Sequence, residues 1–170
     1  MHLVTTSIFQ KSARILLGAF MVIAGIGHLT FQRKAFQAQV PNWVPLHKDT
    51  TVVLSGIAEI MLGLAMLLIV KQRPKVGIVL ALFFVAVFPG NVAQYLNQRD
   101  AFGLNTDRLR LLRLFFQPVL IIWALWSTGA LSYLQLQKKA LDGKVRKWLH
   151  LPIPDNFYTL SQTSDRFSAK

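Results

Sequence analysis

The sequence contains no cysteine and has few charged side chains. Without cysteine, the chain has no disulfide, no thiol redox chemistry and no cysteine-ligated metal or iron–sulfur cluster. Charged residues make up 15% of the 170 residues, whereas soluble domains usually carry about 25%. Acidic residues are especially scarce, since 7 Asp and Glu stand against 19 Lys and Arg. These absences exclude thiol-based redox chemistry and leave little charge for a water-exposed surface.

Long apolar stretches take the place of the missing charges. Hydrophobic residues make up 53% of the chain, and its mean hydropathy is +0.42. A stretch of about 20 apolar residues spans a hydrocarbon core of about 30 Å, and the predicted spans cover about residues 15–32, 50–70, 76–98 and 114–137. A soluble all-helical protein is the alternative, but its helices would be amphipathic and would carry charges more often. The sequence therefore predicts an all-α fold, an integral membrane four-helix bundle of residues 1–137 with antiparallel up-down-up-down topology.

The net charge of +12 raises the question of a nucleic-acid partner. The basic residues lie between the apolar stretches rather than along one polar face, so we interpret them as flanking a lipid bilayer and expect no nucleic acid as a partner. More of them fall on the side of the two termini and of the KQRPK turn (residues 71–75) than on the other side. This excess predicts that both termini lie in the cytoplasm.

The first apolar stretch allows two interpretations. Lys11 and Arg14 precede an apolar run, which is also the pattern of a secretory signal peptide. The sequence Gly25-Ile26-Gly27 is a poor version of a small-residue cleavage site. We therefore interpret this stretch as an uncleaved first transmembrane helix.

Prolines mark two places where the chain departs from regular helix. Pro41 and Pro45 forbid a continuous helix through PNWVP, in the segment between the first two helices. With Trp43 beside them, they predict either an interfacial loop or a cap over the end of the bundle. Pro89 lies inside the third apolar stretch and predicts a kink there, because it blocks one backbone hydrogen bond.

Glu59 lies near the middle of the second apolar stretch. A carboxylate at that depth costs roughly 2.5–3.5 kcal/mol on insertion scales, so it must be neutral, paired or facing water. Gly56 and Gly63 lie on the same helical face, where they allow another helix to approach closely. In the first stretch Gly25 forms a similar narrow side that ends at His28. These glycines are predicted to have a structural role.

The other three stretches also carry polar residues at a similar level. At 1.5 Å per residue, these residues and Glu59 lie within roughly 15 Å of one end of the bundle: His28, Asn91, Arg113 and Gln117. Arg113 could pair with Glu59 in a forked geometry, and the remaining side chains could complete the hydrogen bonds. The cluster is predicted either to line a pocket for a polar ligand head or to be a purely structural network. We identify no catalytic residue and no metal site.

The last segment, residues 138–170, is predicted to be a basic amphipathic stretch followed by a mobile cytoplasmic tail. Leu141 and Trp148 alternate with lysine and arginine residues. Such a segment could lie on an anionic membrane surface, where each basic residue adds about 1 kcal/mol.

Several motifs resemble the DoxX family of small four-helix membrane proteins. They are AGIGHLT (24–30), VPNWVP (40–45), SGIAEIMLGLAML (55–67), FPGN (88–91) and RLFFQPVLIIW (113–123). The resemblance implies an integral protein of the bacterial inner (plasma) membrane. It also implies a link to quinones, oxidative stress or a partner oxidoreductase, because some members of that family have such links.

Three functions follow as hypotheses. The first is a DoxX-like membrane subunit that binds a small hydrophobic molecule with a polar head, such as a quinone, and supports a partner oxidoreductase rather than acting alone as an enzyme. The second is a non-enzymatic scaffold or assembly factor with a structural polar network. The third is a proton-coupled exporter in which Glu59 binds protons and cargo in turn. The ligand, the partner and the oligomeric state are left open by the sequence.

Overall fold

The computed structural model describes residues 5–101 and 106–149, and this part of the chain is all helix and connecting segments, without strands. The helices are α1 (Ile8–Leu29), α2 (Arg33–Gln37), α3 (Lys48–Leu68), α4 (Arg73–Leu96), α5 (Asp107–Ser127) and α6 (Ala130–Leu149). Four of them, α1, α3, α4 and α5, are long and apolar enough to cross a membrane. The predicted all-α class with four apolar helices is thus confirmed, and the helices indicate a membrane protein.

The chain divides into two compact units, Met1–Tyr133 and Leu134–Lys170. The first unit holds α1 to α5 and every contact discussed below. Of the second unit the structure describes residues 134–149, which are helical. The mobile tail that the sequence predicts after this helix lies outside the described residues.

Helix α1 begins earlier than the sequence analysis placed it, at Ile8 instead of near residue 15. The reason is a capping box. The Ser7 hydroxyl accepts a hydrogen bond from the backbone N–H of Gln10 (3.2 Å), and the Gln10 side chain accepts one from the N–H of Ser7 (2.9 Å). These two bonds satisfy donors that the first turn of a helix leaves without partners. The predicted span began near residue 15 because it was drawn from the charges of Lys11 and Arg14 and not from capping.

The predicted fourth helix, 114–137, differs from the structure at both ends. Helix α5 begins at Asp107, after the cap residue Thr106, and it ends at Ser127. Gly129 has a φ of 73°, a conformation that glycine adopts without steric cost, and a separate helix starts at Ala130. The predicted helix began only at residue 114 because basic residues precede it, although charged first turns are compatible with a helix.

Within the first unit, α1 packs chiefly against α3 and α4 chiefly against α5. Glycines allow the close approach of α1 and α3: a Cβ atom on Gly25 would lie 2.6 Å from the Gly56 carbonyl oxygen, and one on Gly63 would lie 2.8 Å from the Gly18 carbonyl oxygen. Small residues serve this purpose in membrane bundles. A core of Leu17, Met21, Met66, Leu80, Phe84, Leu120 and Ala124 joins the two pairs.

Hydrogen bonds close the bundle at the end where α1 begins. The buried Arg14 guanidinium donates to the Met66 carbonyl oxygen in the last turn of α3. The Trp123 indole donates to the Ala13 carbonyl oxygen (3.1 Å), and the Gln10 side chain donates to the Trp126 carbonyl oxygen (2.8 Å). These bonds tie α1 to α3 and to α5. The opposite end of the bundle holds the polar residues that the sequence singled out.

Candidate functional site

A cavity of about 600 Å³ lies between α1, α3, α4 and α5. Its polar lining includes all members of the predicted cluster: His28, Glu59, Asn91, Arg113 and Gln117. Most of the remaining wall is apolar, and Met21, Phe84 and Leu120 form its buried side. A cavity of this size and character, with a few polar groups in an apolar wall, is typical of small-molecule sites.

His28 and Glu59 form the pair that joins α1 to α3 at this site. His28 Nδ1 lies 2.9 Å from Glu59 Oε2, and the two side chains are 8% and 12% exposed. The helices come close enough because Gly56 has no side chain, since a Cβ atom there would lie 2.7 Å from the His28 Cβ atom. The close partner of the buried carboxylate is therefore the imidazole of the neighbouring helix.

The same imidazole nitrogen also lies 2.9 Å from the Ala24 carbonyl oxygen, one turn back in α1. The His28 ring nitrogen has hydrogen-bond geometry toward the Ala24 carbonyl oxygen. Glu59 Oε2 is buried, and it accepts no well-directed hydrogen bond from the described part of the chain. A buried acceptor in this state costs free energy. Because Oε2 is fully buried beside His28, it is not itself exposed to the cavity that Glu59 lines.

Asn91 and Gln117 form a second polar group, which joins α4 to α5. The Asn91 amide donates to Gln117 Oε1 (2.9 Å), and the Gln117 amide donates to the Phe84 carbonyl oxygen (2.8 Å). Helix α4 is uninterrupted at Pro89, and this proline removes the N–H that would bond to residue 85. The carbonyl oxygen of Val85 therefore lacks its helical hydrogen bond. The Gln117 amide bonds to the carbonyl oxygen of the preceding residue, Phe84.

Arg113 is the basic residue of α5 that lines the cavity. Its guanidinium interacts electrostatically with Glu59. Arg110, one turn earlier, has a different role: it is buried and pairs with Asp107 (2.6 Å) and Asp100. The cavity therefore has a cationic donor in Arg113 and an anionic acceptor in Glu59.

Residues 30–47 join α1 to α3 and form a roof over the cavity. Phe36 of α2 stacks on the His28 ring, with 3.3 Å between the ring centroids and 18° between the planes. Gln39 lines the cavity and donates to Gln94 Oε1 of α4 (3.1 Å). Of the two interpretations of this segment, these contacts correspond to a cap over the bundle end. Phe36 and Gln39 were not predicted as site residues, because no local pattern marks them.

Arg99, just after α4, holds the roof in place. Its guanidinium donates to the carbonyl oxygens of Ala38 (3.1 Å) and Val40 (3.0 Å) and to the Asn42 side chain (2.8 Å). Gly90 allows the roof backbone to approach α4, because a Cβ atom there would lie 2.8 Å from the Gln39 carbonyl oxygen. The sequence analysis assigned no role to Arg99.

A second ion pair fastens the roof to α3. The Arg33 guanidinium donates to both carboxylate oxygens of Asp49, and this hydrogen bonding raises the pKa of Arg33 above its ordinary value. The pair is half-exposed, and the surrounding water weakens the attraction in such a pair. It adds to the bonds of Arg99 on the other side of the roof.

The residues that were predicted to be structural occupy three places. Gly25, Gly56 and Gly63 lie at the contact between α1 and α3. Pro41 is buried and lines a smaller cavity of about 160 Å³ beneath the roof, together with Pro89. Pro45 is exposed. Within residues 5–101 and 106–149, no group of three or more His, Asp or Glu residues is arranged to hold a metal ion.

The comparison with protein families corrects the resemblance to DoxX. The family that matches is described as a domain of unknown function, DUF8561, and its match covers residues 17–128, which include all five cluster residues. The DoxX motifs were short, and they consist of the glycines, prolines and isolated polar residues that any tightly packed membrane bundle with a buried cluster requires. The quinone, the partner oxidoreductase and the link to oxidative stress rested on that resemblance and are not retained.

No curated protein and no solved structure matches the chain. The matched segment runs from the third turn of α1 to the residue after α5. It therefore contains the whole cavity and stops before α6. Because this match covers well over half of the chain, the protein belongs to the DUF8561 family, a domain family of unknown function.

Proposed function

We propose that the protein binds a small hydrophobic molecule with a polar head in the cavity between its four long helices. The observation that carries this proposal is the meeting of polar groups from all four helices on one apolar cavity of about 600 Å³. Buried polar groups in a membrane bundle are costly and usually face one another or a functional site. Here they do both, because they line a space large enough for a ligand.

The polar groups divide into those that satisfy one another and those that are directed to the cavity. Asn91 and Gln117 are hydrogen-bonded to each other and to backbone, which favours a structural role for this part of the cluster. Glu59 and Arg113 also line the cavity, where they are the acidic and the basic side chain of its wall. The head of the ligand is therefore placed near Glu59 and Arg113, and its apolar part lies against Phe84 and Leu120.

The membrane arrangement is part of the proposal. It is a bundle with antiparallel up-down-up-down topology in a bacterial inner membrane, with both termini in the cytoplasm. The pairing of Gly18 with Gly63 and of Gly25 with Gly56 supports opposite directions for α1 and α3. Twelve of the 19 basic residues fall on the side of the termini, as the positive-inside rule requires. The cavity then lies in the outer half of the membrane.

The test is a change of the Glu59 carboxylate to an amide of the same shape. Glu59→Gln removes the charge-assisted acceptor, which contributes about 1.5–3 kcal/mol to a hydrogen bond. We expect the folded variant to retain about tenfold less of the ligand. The measurement is mass spectrometry of the small molecules that copurify from native membranes, after subtraction of bulk lipid.

The matched control is Asp142→Asn, which makes the same chemical change on an exposed residue of α6 that does not line the cavity. This variant should retain the ligand as the unmodified protein does. The proposal fails if the unmodified protein carries no specific molecule, or if Glu59→Gln retains it at the same stoichiometry as Asp142→Asn.

A further inference from the structure

The cavity is open on one side, between α1 and α5. The residues that both line it and are exposed are mostly apolar: Phe20, Ile23 and Phe31 on the α1 side, and Leu112 and Phe116 on α5. Ile23 is 64% exposed and Leu112 is 66% exposed. Gln32, just after α1, is the polar residue among them. The rim of the opening is therefore suited to contact hydrocarbon rather than water.

The opening has a defined extent along the two helices. At one end α1 and α5 are joined by the bonds of Trp123 to Ala13 and of Gln10 to Trp126. Toward the other end the cavity lies between them, from Phe20 to Phe31 on one side and from Leu109 to Phe116 on the other. These stretches belong to helices that are long and apolar enough to cross a membrane. The gap therefore faces the bilayer interior.

The roof closes the route from the end of the bundle. Phe36 lies on the His28 ring, and Gln39 is bonded to Gln94. Arg99 fixes the backbone of the roof at Ala38 and Val40. A molecule that approached from the aqueous side would have to displace these contacts, whereas one that approached from the lipid would meet an open rim.

The charges on the wall restrict the head of the ligand. Glu59 and Arg113 place an acidic and a basic side chain on the same cavity wall, and burying a further charge beside them is costly. A head with a net charge would be attracted to one of these side chains and repelled by the other. An uncharged head with a hydroxyl donor and an oxygen acceptor can bond to both side chains without that repulsion.

We propose that the cavity exchanges its ligand with the bilayer through the gap between α1 and α5, and that the ligand is a membrane-dissolved amphiphile with an uncharged head that donates and accepts hydrogen bonds. This inference rests on the proposed function, because it assumes that the cavity is a binding site. It adds the chemical class of the ligand and the route by which it enters.

The probe is a monoacylglycerol with a photoreactive diazirine in its acyl chain, added to the full-length protein in lipid nanodiscs. The head of this probe carries hydroxyl donors and an ester acceptor without charge. Samples are illuminated at timed intervals, and mass spectrometry quantifies the cross-links on peptides of the cavity wall. The gap is narrowed by Ile23→Trp with Leu112→Trp, and Leu82→Trp on the exposed face of α4 is the matched control. Arg99→Ala loosens the roof instead.

We expect the gap variant to slow cavity labelling about tenfold, while its final extent stays within twofold of the unmodified protein. Leu82→Trp should label at the unmodified rate, and Arg99→Ala should label within twofold of that rate. Acceleration by Arg99→Ala together with an unchanged rate in the gap variant would overturn the lateral route. Absence of cavity labelling in the unmodified protein, at any time, would instead refute the proposed binding of such amphiphiles. A charged analogue that labels as strongly as the monoacylglycerol would overturn the assignment of an uncharged head.

Discussion

Replacing Gly56 with valine is expected to force α1 and α3 apart and to lower the free energy of unfolding by about 3 kcal/mol. A Cβ atom at this position would lie 2.7 Å from the His28 Cβ atom and 3.0 Å from the Gly25 carbonyl oxygen. Neither atom belongs to a flexible side-chain end, so the helix itself has to move. Unfolding of the purified protein in detergent, followed by circular dichroism during titration with a denaturing detergent, measures the loss.

The matched control for Gly56→Val is Gly27→Ala in α1. A Cβ atom on Gly27 would meet its nearest neighbour at 3.6 Å, which is ordinary van der Waals contact. Alanine also has a higher helix propensity than glycine by about 1 kcal/mol. Gly27→Ala should therefore be as stable as the unmodified protein or more so. Equal stability of Gly56→Val and Gly27→Ala would show that α1 and α3 do not meet at Gly56.

Replacing Gln117 with leucine is expected to lower the free energy of unfolding by about 2 kcal/mol. The change leaves the Asn91 amide and the Phe84 carbonyl oxygen buried without the partners they have now. An orphaned buried polar group costs about 1–3 kcal/mol, although hydrogen bonds between membrane helices average only about 0.6 kcal/mol. The same detergent titration gives the value.

A double-mutant cycle isolates the bond between α4 and α5. Asn91→Leu alone leaves Gln117 with its bond to Phe84, and Asn91→Leu with Gln117→Leu removes both side chains at once. Because replacing both partners avoids an orphaned side chain, the double variant should lose less stability than the sum of the two single variants. Strict additivity would mean that the two amides do not interact, and it would contradict the structure.

Local patterns in the sequence were sufficient to predict the four long helices and five polar residues of the cavity wall. An apolar stretch of about 20 residues has few alternatives to a membrane helix. A carboxylate in the middle of such a helix, here Glu59, requires polar side chains from the neighbouring helices as partners. The same argument singled out His28, Asn91, Arg113 and Gln117, which the structure places on one cavity. It could not say that the close partner of Glu59 is His28, because that depends on how α1 and α3 face each other.

The ends of the helices could have been predicted better. The capping box of Ser7 and Gln10 and the cap residue Thr106 are visible in the sequence, and each marks a helix start. Gly129 marks the break between α5 and α6, but an isolated glycine within an apolar stretch is also compatible with a continuous helix. The prediction gave too much weight to charge at the starts of α1 and α5, and too little weight to Gly129 at the end of α5.

The position of the roof could not be predicted from local sequence patterns. Its position depends on Arg99, which bonds to residues about 60 positions earlier in the chain, and on Gln94, whose partner Gln39 is equally distant. Neither contact leaves a periodic signal, because each involves a single side chain and an irregular backbone. The family assignment failed for a related reason. Short motifs of glycine, proline and isolated polar residues occur wherever a bundle packs around a buried polar cluster. They therefore do not show that two proteins share a common ancestor.

The packing of α1 against α3 and of α4 against α5 has a thermodynamic consequence. Each helix pair can form with its own contacts during insertion, and the cavity arises only when the two hairpins dock. A molecule in that cavity contacts both, so its binding free energy adds to the docking free energy, by about 2.7 kcal/mol at a hundredfold excess over its dissociation constant. A molecule bound in this cavity would therefore also stabilise the association of the two helix pairs.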